Sequence, residues 1–259
     1  MGSPKIYPGN IVRVTGSCGA TTNPADLRLF VRAQGTDELL YSSSHSLQDG
    51  QGFDISLTVP GLPLGLVRDF GLELSAESVT QGDVFVDAVF IEGTFDVAFP
   101  TKIHQGNPWK GNVQFDGWVF DADLCRGKFS DDEEEQTQFG KNEGRGELIC
   151  GSTLWRDYCF EARIKIHLAT KAGIVARYQG KQRYLSVEIE GNLLRLVQRN
   201  YREVVLGEYN LEEQGRQWEQ DKLYSLQIRC SGTDISVYLE GDKILEGQDD
   251  RLLCGGAGF

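Results

Sequence analysis

The chain has 259 residues, with 26 basic and 38 acidic side chains and a formal net charge of −12. That length suits two ordinary domains of roughly 100–150 residues each. The acidity excludes a globally basic surface, because binding to phosphates needs clustered Lys and Arg, and no apolar run approaches the roughly 18 residues that span a bilayer, so neither nucleic acid nor a membrane is expected as a partner.

The N-terminus, Met1-Gly2-Ser3-Pro4, leads into Ile6 and Tyr7 without the charged, then apolar, pattern of a secretory signal. The six cysteines (Cys18, Cys125, Cys150, Cys159, Cys230, Cys254) form no C-x-x-C pair, and the chain has three histidines. A zinc site is not expected on that inventory, and a cytoplasmic location is favoured over secretion.

Residues 1–100 hold five basic and twelve acidic side chains and read as strands throughout. Ile11–Thr15 alternates. Leu27, Leu29 and Val31 point one way while Arg28, Phe30 and Arg32 point the other. Phe53, Ile55, Leu57 and Val59 share a face, as do Phe70, Leu72 and Leu74. Val84, Val86 and Ala88 set one face of a run that continues to Ile91. Period-2 runs bounded by Asp49-Gly50, Pro60-Gly61 and Gln81-Gly82 signal hairpins and sandwiches, and no segment here shows a helical stripe. Residues 101–112, flanked by Pro100 and containing Pro108, form the expected linker.

The second domain is placed at residues 113–259. Asp131–Glu135 reads as a solvated loop, because five adjacent carboxylates repel one another. Phe160, Ala162, Ile164 and Ile166 share a face. Leu185, Val187 and Ile189 form a core face opposite Tyr184, Ser186 and Glu188. Leu226, Ile228 and Cys230 repeat the pattern, as do Ile235, Val237 and Leu239. Cys159 and Cys230 read as buried thiols within strands. Gly191-Asn192 and Gly241-Asp242 are expected as type II′ hairpin turns, with glycine supplying the positive φ at the first position. The expected fold class is all-β: two β-sandwich (jelly-roll) domains in tandem.

Several segments of the second domain together resemble a concanavalin A-like (laminin G-like) sandwich. They are Gly146-Glu147-Leu148, Trp155–Ala162, Gly173–Tyr178, Arg183-Tyr184-Leu185, Leu194–Val197 and the hairpin at Tyr238–Gly241. The first domain, with its strand Val84–Ile91, resembles a galactose-binding-like jelly roll. The pair of modules is similar to the non-catalytic region appended to some ADP-ribosylglycohydrolase-family proteins. That resemblance implies a hydrolase domain as partner in a longer chain. It also implies that Gly255–Phe259 leads into a closing strand.

Sugar recognition needs an aromatic face and charged or amide groups for the hydroxyls. Alternation places Arg163, Arg177, Tyr184, Glu188 and Arg195 on one outer sheet face, with Trp155 just before its first strand. The expected ligand-binding set is therefore Trp155, Arg163, Arg177, Tyr184 and Glu188. Arg177 and Glu188 would hydrogen-bond a glycan or another sugar-containing ligand, Arg163 would supply charge, and Tyr184 or Trp155 would stack. The plainer reading is a set of cross-strand ion pairs without a ligand. Trp109, Trp118 and Trp218 read as core or interface anchors. No cofactor is expected. The jelly-roll resemblance allows a structural calcium at Asp26, Asp83 and Asp87, which otherwise read as surface aspartates.

The leading functional expectation is a non-catalytic carbohydrate- or glycoconjugate-binding accessory region. One alternative is a glycoside hydrolase using Glu188 and Glu190, although Ser186-Val187-Glu188-Ile189-Glu190 lacks the middle Asp of the Glu-x-Asp-x-Glu pattern found in retaining enzymes of the concanavalin-like fold. The other is a docking or dimerisation module without a small ligand.

Overall fold

The computed structural model describes residues 6–33, 37–61, 67–93, 119–121, 124–130, 133–220 and 222–259, with side chains between 119 and 137 left out of the account. Trp109, Trp118 and the expected linker at 101–112 lie outside the described residues. Contacts divide the chain into two compact units, Lys5–Pro100 and Thr101–Phe259, with Met1–Pro4 grouped with the latter. Both are built from antiparallel strands, and the only helical element described is a single 3-10 turn at Glu212–Gln214.

In the first unit the strands are β1 (Ile11–Cys18), β2 (Ala25–Ala33), β3 (Leu39–Tyr41), β4 (His45–Leu47), β5 (Gly52–Thr58), β6 (Val67–Ser75) and β7 (Val84–Glu92). One sheet has the order β5-β1-β7; in the other, β2 pairs with β3 and β4 on one side and β6 on the other. The period-2 pattern explains the sandwich directly. Val12, Val14 and Cys18 of β1 face Leu27, Leu29 and Val31 of β2 across a buried core completed by Phe53 and Ile55. The alternate side chains are polar and pair across strands: Arg13 with Asp54, Arg28 with Glu73, and Arg32 with Asp69. Asp26 lies on β2, whereas Asp83 and Asp87 accompany β7 in the other sheet. The expected calcium ligands are thus not gathered, and among the described residues no three His, Cys, Asp or Glu side chains form a metal-binding group.

The strands of the second unit are β8 (Val119–Asp121), β9 (Leu124–Ser130), β10 (Glu133–Gly140), β11 (Glu147–Cys150), β12 (Tyr158–Ile164), β13 (Ala172–Gly180), β14 (Arg183–Glu190), β15 (Leu193–Asn200), β16 (Glu203–Asn210), β17 (Tyr224–Ser231), β18 (Asp234–Leu239), β19 (Asp242–Gln248) and β20 (Gly256–Gly258). A seven-stranded sheet has the order β16-β15-β14-β13-β20-β11-β8, a four-stranded sheet has β12-β17-β18-β19, and β9 pairs with β10. Ile174, Ala176, Leu185, Val187, Leu194 and Leu196 from the first sheet and Phe160, Leu226, Ile228, Ile235, Val237 and Leu239 from the second are buried. The C-terminal Gly256–Gly258 is a strand in the middle of the larger sheet, between β13 and β11.

Three expectations change. The acidic run is not wholly a loop, because Glu133 already pairs with Ser130 at the start of β10. Cys230 is buried but Cys159 is exposed: Cys159 stands opposite Arg229, out of phase with Phe160 and Ile228. The β18–β19 turn is Glu240-Gly241, since Leu239 pairs with Asp242 and both turn residues have positive φ (54° and 85°). That is the type I′ pattern. At the β14–β15 turn Gly191 has φ 57°, as a type II′ first position requires, and Glu190 pairs with Leu193.

Candidate functional site

The outer face of the seven-stranded sheet is carried by the residues out of phase with Leu185, Val187 and Ile189 on β14, namely Tyr184, Ser186 and Glu188. Register places Gly173 of β13 and Arg195 of β15 beside Glu188, Val175 and Val197 beside Ser186, and Arg199 beside Tyr184. Polar side chains on an outer face are normally wet. Here Tyr184 is 2%, Ser186 4% and Glu188 7% exposed, so the face is sheltered.

A chain of charges runs across it. The Glu188 carboxylate accepts from Lys171 Nζ at 3.0 Å, from Arg199 at 3.1 Å and from the Ser186 hydroxyl at 3.1 Å. Arg199 also reaches Glu203 at 2.6 Å, Lys171 lies 3.4 Å from Glu190, and Arg195 bonds Glu190 at 2.7 Å. Burial is the largest influence on Glu188 and pushes its pKa upward. The hydrogen bonds from Lys171 and Arg199 overcome it and hold the carboxyl below its ordinary range.

Beside this chain stands an aromatic pair. Tyr178 of β13 stacks on Tyr184 with ring centroids 5.8 Å apart and planes at 22°. The Tyr178 hydroxyl donates to Glu147 of β11 at 2.7 Å, and exposed Arg145 donates to the Tyr184 hydroxyl. Ile149 and Val175 complete a small apolar cluster under the two rings. Burial raises the Tyr184 pKa against the opposing pull of Arg145 and Arg199.

Tyr184 and Glu188 therefore share a face as the alternation implies, four residues or about 13 Å apart along one strand. The other three expected site residues do not join them. Arg177 is 0% exposed and has φ 50°. A β-bulge is responsible: Val175 pairs with Gly258 but Tyr178 with Gly256, so Ala176 and Arg177 together oppose one residue of β20. The extra residue shifts the alternation by one, which turns Arg177 inward and gives its outward place to Tyr178. Inside, the guanidinium donates to the carbonyl oxygens of Leu252 (3.0 Å) and Gly232 (2.5 Å), and the Arg177 backbone N–H donates to the Tyr158 hydroxyl. A Cβ on Gly255 would stand 2.2 Å from the Arg177 carbonyl carbon, so a glycine is required just before β20.

Arg163 lies exposed on β12, which belongs to the four-stranded sheet, so charge alternation was right but sheet assignment was not. Trp155 is buried, edge-on to the Tyr158 ring at 5.7 Å, and offers no open face for stacking. Trp218 is half-buried and stacks on Tyr224 at 4.0 Å, as an anchor does. Sequence alternation missed Tyr178, Arg199, Lys171, Arg145 and Glu147. Arg199 was visible as an outward partner of Leu194 and Leu196; Tyr178 was hidden by the bulge, and Lys171 and Arg145 by their places at a strand edge and in a loop.

The pair proposed for hydrolysis, Glu188 and Glu190, shares Lys171. Retaining hydrolysis needs one carboxylate ionised as nucleophile and one carboxyl kept protonated near neutrality; the two cations on Glu188 favour its ionised form.

No protein-family model and no curated protein sequence matches the chain. Among solved structures, it is similar to the carbohydrate-binding module CBM66 from Bacillus subtilis, at 15% identity over 55% of this chain and 85% of that one, with a TM-score of 0.45. It is also similar to domains LG4-5 of the mouse laminin alpha1 chain, at 10% identity over 99% of this chain and 77% of that one, with a TM-score of 0.32.

Proposed function

We propose that the second unit is a non-catalytic carbohydrate-binding module whose site is the outer face of the seven-stranded sheet. The observation that carries this reading is the sheltered carboxylate of Glu188, held ionised by Lys171 and Arg199 beside the stacked tyrosines Tyr178 and Tyr184. Fixed charged acceptors and donors next to an aromatic surface match a sugar, whose hydroxyls need directed hydrogen bonds and whose ring face is apolar. Arg145, Lys171, Arg199 and Glu188 supply the polar contacts and Tyr178 the half-exposed ring. The sequence resemblance to regions appended to ADP-ribosylglycohydrolases supports an accessory role beside a hydrolase domain in a longer chain.

A glycan array followed by titration calorimetry tests the site. Glu188→Gln and Tyr178→Leu should each weaken the best ligand at least about fivefold, with circular dichroism confirming the fold. Parent-like binding by both variants excludes this face.

A second reading belongs to the first unit. There β7, whose only strand partner among the described residues is β1, exposes Phe85 and Phe90 on its outer face and Val86 and Val89 on its core side. An apolar edge strand of nine residues favours association, and the occupant we assign is a second copy of this chain. Sedimentation of parent and Val86→Lys proteins tests it; a parent that stays monomeric at high concentration removes the reading.

A further inference from the structure

One end of the seven-stranded sheet carries an aromatic that neither the core nor the ion-pair chain uses. Tyr201, at the tip of the β15–β16 turn, is 73% exposed and has φ 60°. Glycine adopts that conformation freely, and a bulky residue there is uncommon and costly. Such outliers cluster where a side chain must be presented to a ligand.

The surroundings of Tyr201 point to the ligand's charge. Its N–H donates to the carbonyl of Gln182 at 3.0 Å, which ties the β15–β16 turn to the β13–β14 turn. Arg183, at the start of β14, is the register partner of Asn200, and exposed Arg202 follows Tyr201. Arg202 has no carboxylate partner among the described residues, whereas Arg183 is in phase with Leu185 and Val187 and so lies on the core side of β14. From Lys171 to Glu203 the sequence holds seven cations, of which Arg177 points inward, and three anions, in a chain whose net charge is −12. A local excess of positive charge persists there against the charge of the whole molecule.

The tip is continuous with the face already described. Arg199, two residues before Tyr201, lies 5.9 Å from the Tyr184 ring and bonds Glu188. From Tyr184, beside Arg199, to Glu188 is about 13 Å along β14, a span that an oligosaccharide bridges and a single sugar does not.

We infer that Tyr201 and Arg202 form a subsite for an acidic sugar residue, so that the ligand of the outer face is an oligosaccharide bearing carboxylate or sulfate groups. Tyr201 stacks on the ring, and the Arg202 guanidinium takes the anionic group, for which its planar fork is suited. This rests on the carbohydrate reading of the face and names its ligand class.

The test uses the full chain, titrated with tetragalacturonate, dextran sulfate, neutral dextran and poly-glutamate at two salt concentrations. At least one acidic saccharide should bind about tenfold tighter than neutral dextran, with affinity falling as salt rises. Tyr201→Ala and Arg202→Ala should each cost about fivefold or more against that saccharide. Tyr201→Gly adds a readout that a purely structural tyrosine would not give: relief of the positive φ should raise the thermal midpoint while binding falls. Equal affinity for acidic and neutral saccharides, or parent-like binding by Tyr201→Gly and Arg202→Ala, overturns the subsite but leaves the face reading intact. Preference for poly-glutamate overturns the saccharide assignment. Absence of binding to any saccharide overturns both.

Discussion

The two units solve the same packing problem with opposite departures from it. Of the eight buried polar or charged side chains among the described residues, seven lie in the second unit and only Asn10 in the first. The first unit departs by exposing apolar groups on adjoining sheet edges. Val89 and Val86 stand opposite Val14 and Gly16, and Leu74 and Phe70 opposite Leu27 and Val31, so all four point to the core side, yet they remain well exposed. Because β5 packs against β2 and β4, β6 and β7 are the edges on the other side among the described residues. The exposed apolar groups described in the second unit are instead spread over loops, a turn and strand edges (Leu154, Leu168, Leu253, Val204). Buried polarity is costly unless every group is paired; exposed apolar surface is costly unless something covers it. The difference teaches that the second unit carries the polar site and the first the apolar edge.

The sharpest way to break the comparison is to remove Arg177. If its burial is structural, Arg177→Ala leaves the Leu252 and Gly232 carbonyls without their donor and opens a cavity, which should cost about 3–5 kcal/mol. Denaturant unfolding of the second unit reads this. A variant that unfolds like the parent but loses sugar affinity would return Arg177 to the site. Gln198 and Asp249 belong to the same buried system, since Asp249 accepts from Gln198 and from the N–H of Leu252, whose carbonyl holds Arg177.

Glu188→Gln is the next largest perturbation. Loss of a charge-assisted network with one partly exposed cation should cost about 1–2 kcal/mol. It also has a pH signature. A carboxyl whose pKa is lower folded than unfolded adds stability that is present above the unfolded value and is lost as pH falls through the folded one. The parent's second unit should therefore weaken on acidification below the usual carboxylate range, and Glu188→Gln should flatten that loss. Identical acid profiles for the two proteins would remove Glu188 as the source.

Why some of this was legible in sequence follows from periodicity. Strands such as β2, β5, β14 and β17 alternate without interruption, so their core faces could be read residue by residue. Alternation is a local rule and ends at a bulge: one extra residue on β13 exchanged Arg177 for Tyr178. It also does not say which sheet a strand joins. Arg163 and Glu188 are both outward residues, but β12 pairs with β17 whereas β14 pairs with β13 and β15. Lys171 and Arg145 come to the site through tertiary position alone, and no spacing announces them. The Glu240-Gly241 turn was misplaced by one residue because either side of Gly241 offers a residue compatible with a tight turn.

In the first unit, polar substitutions on the apolar edge should affect association more than folding. Phe85→Ser and Phe90→Ser replace side chains that are already half in water, so unfolding free energy should change by no more than about 0.5 kcal/mol each. Concentration-dependent sedimentation of the parent should disappear in the double variant. A large loss of stability instead would mean that these rings are packed in the folded chain, and the contrast between the units would fail.

The smallest effect is expected at the ion pairs on the first unit's surface. Arg13 bonds Asp54 and lies 3.9 Å from Glu92, and its guanidinium is 5.7 Å from the Phe90 ring. Its geometry is as good as that of the Glu188 network, and the hydrogen bond to Arg13 lowers the Asp54 pKa. The two differ in solvent access: water and salt screen the Arg13 pair, and ordering two long exposed side chains offsets what attraction remains. A double-mutant cycle on Arg13→Ala and Asp54→Ala should give a coupling energy indistinguishable from zero at physiological salt, rising only as salt is withdrawn. A coupling equal to that measured between Glu188 and Arg199 would show that burial does not separate the two units' charges after all.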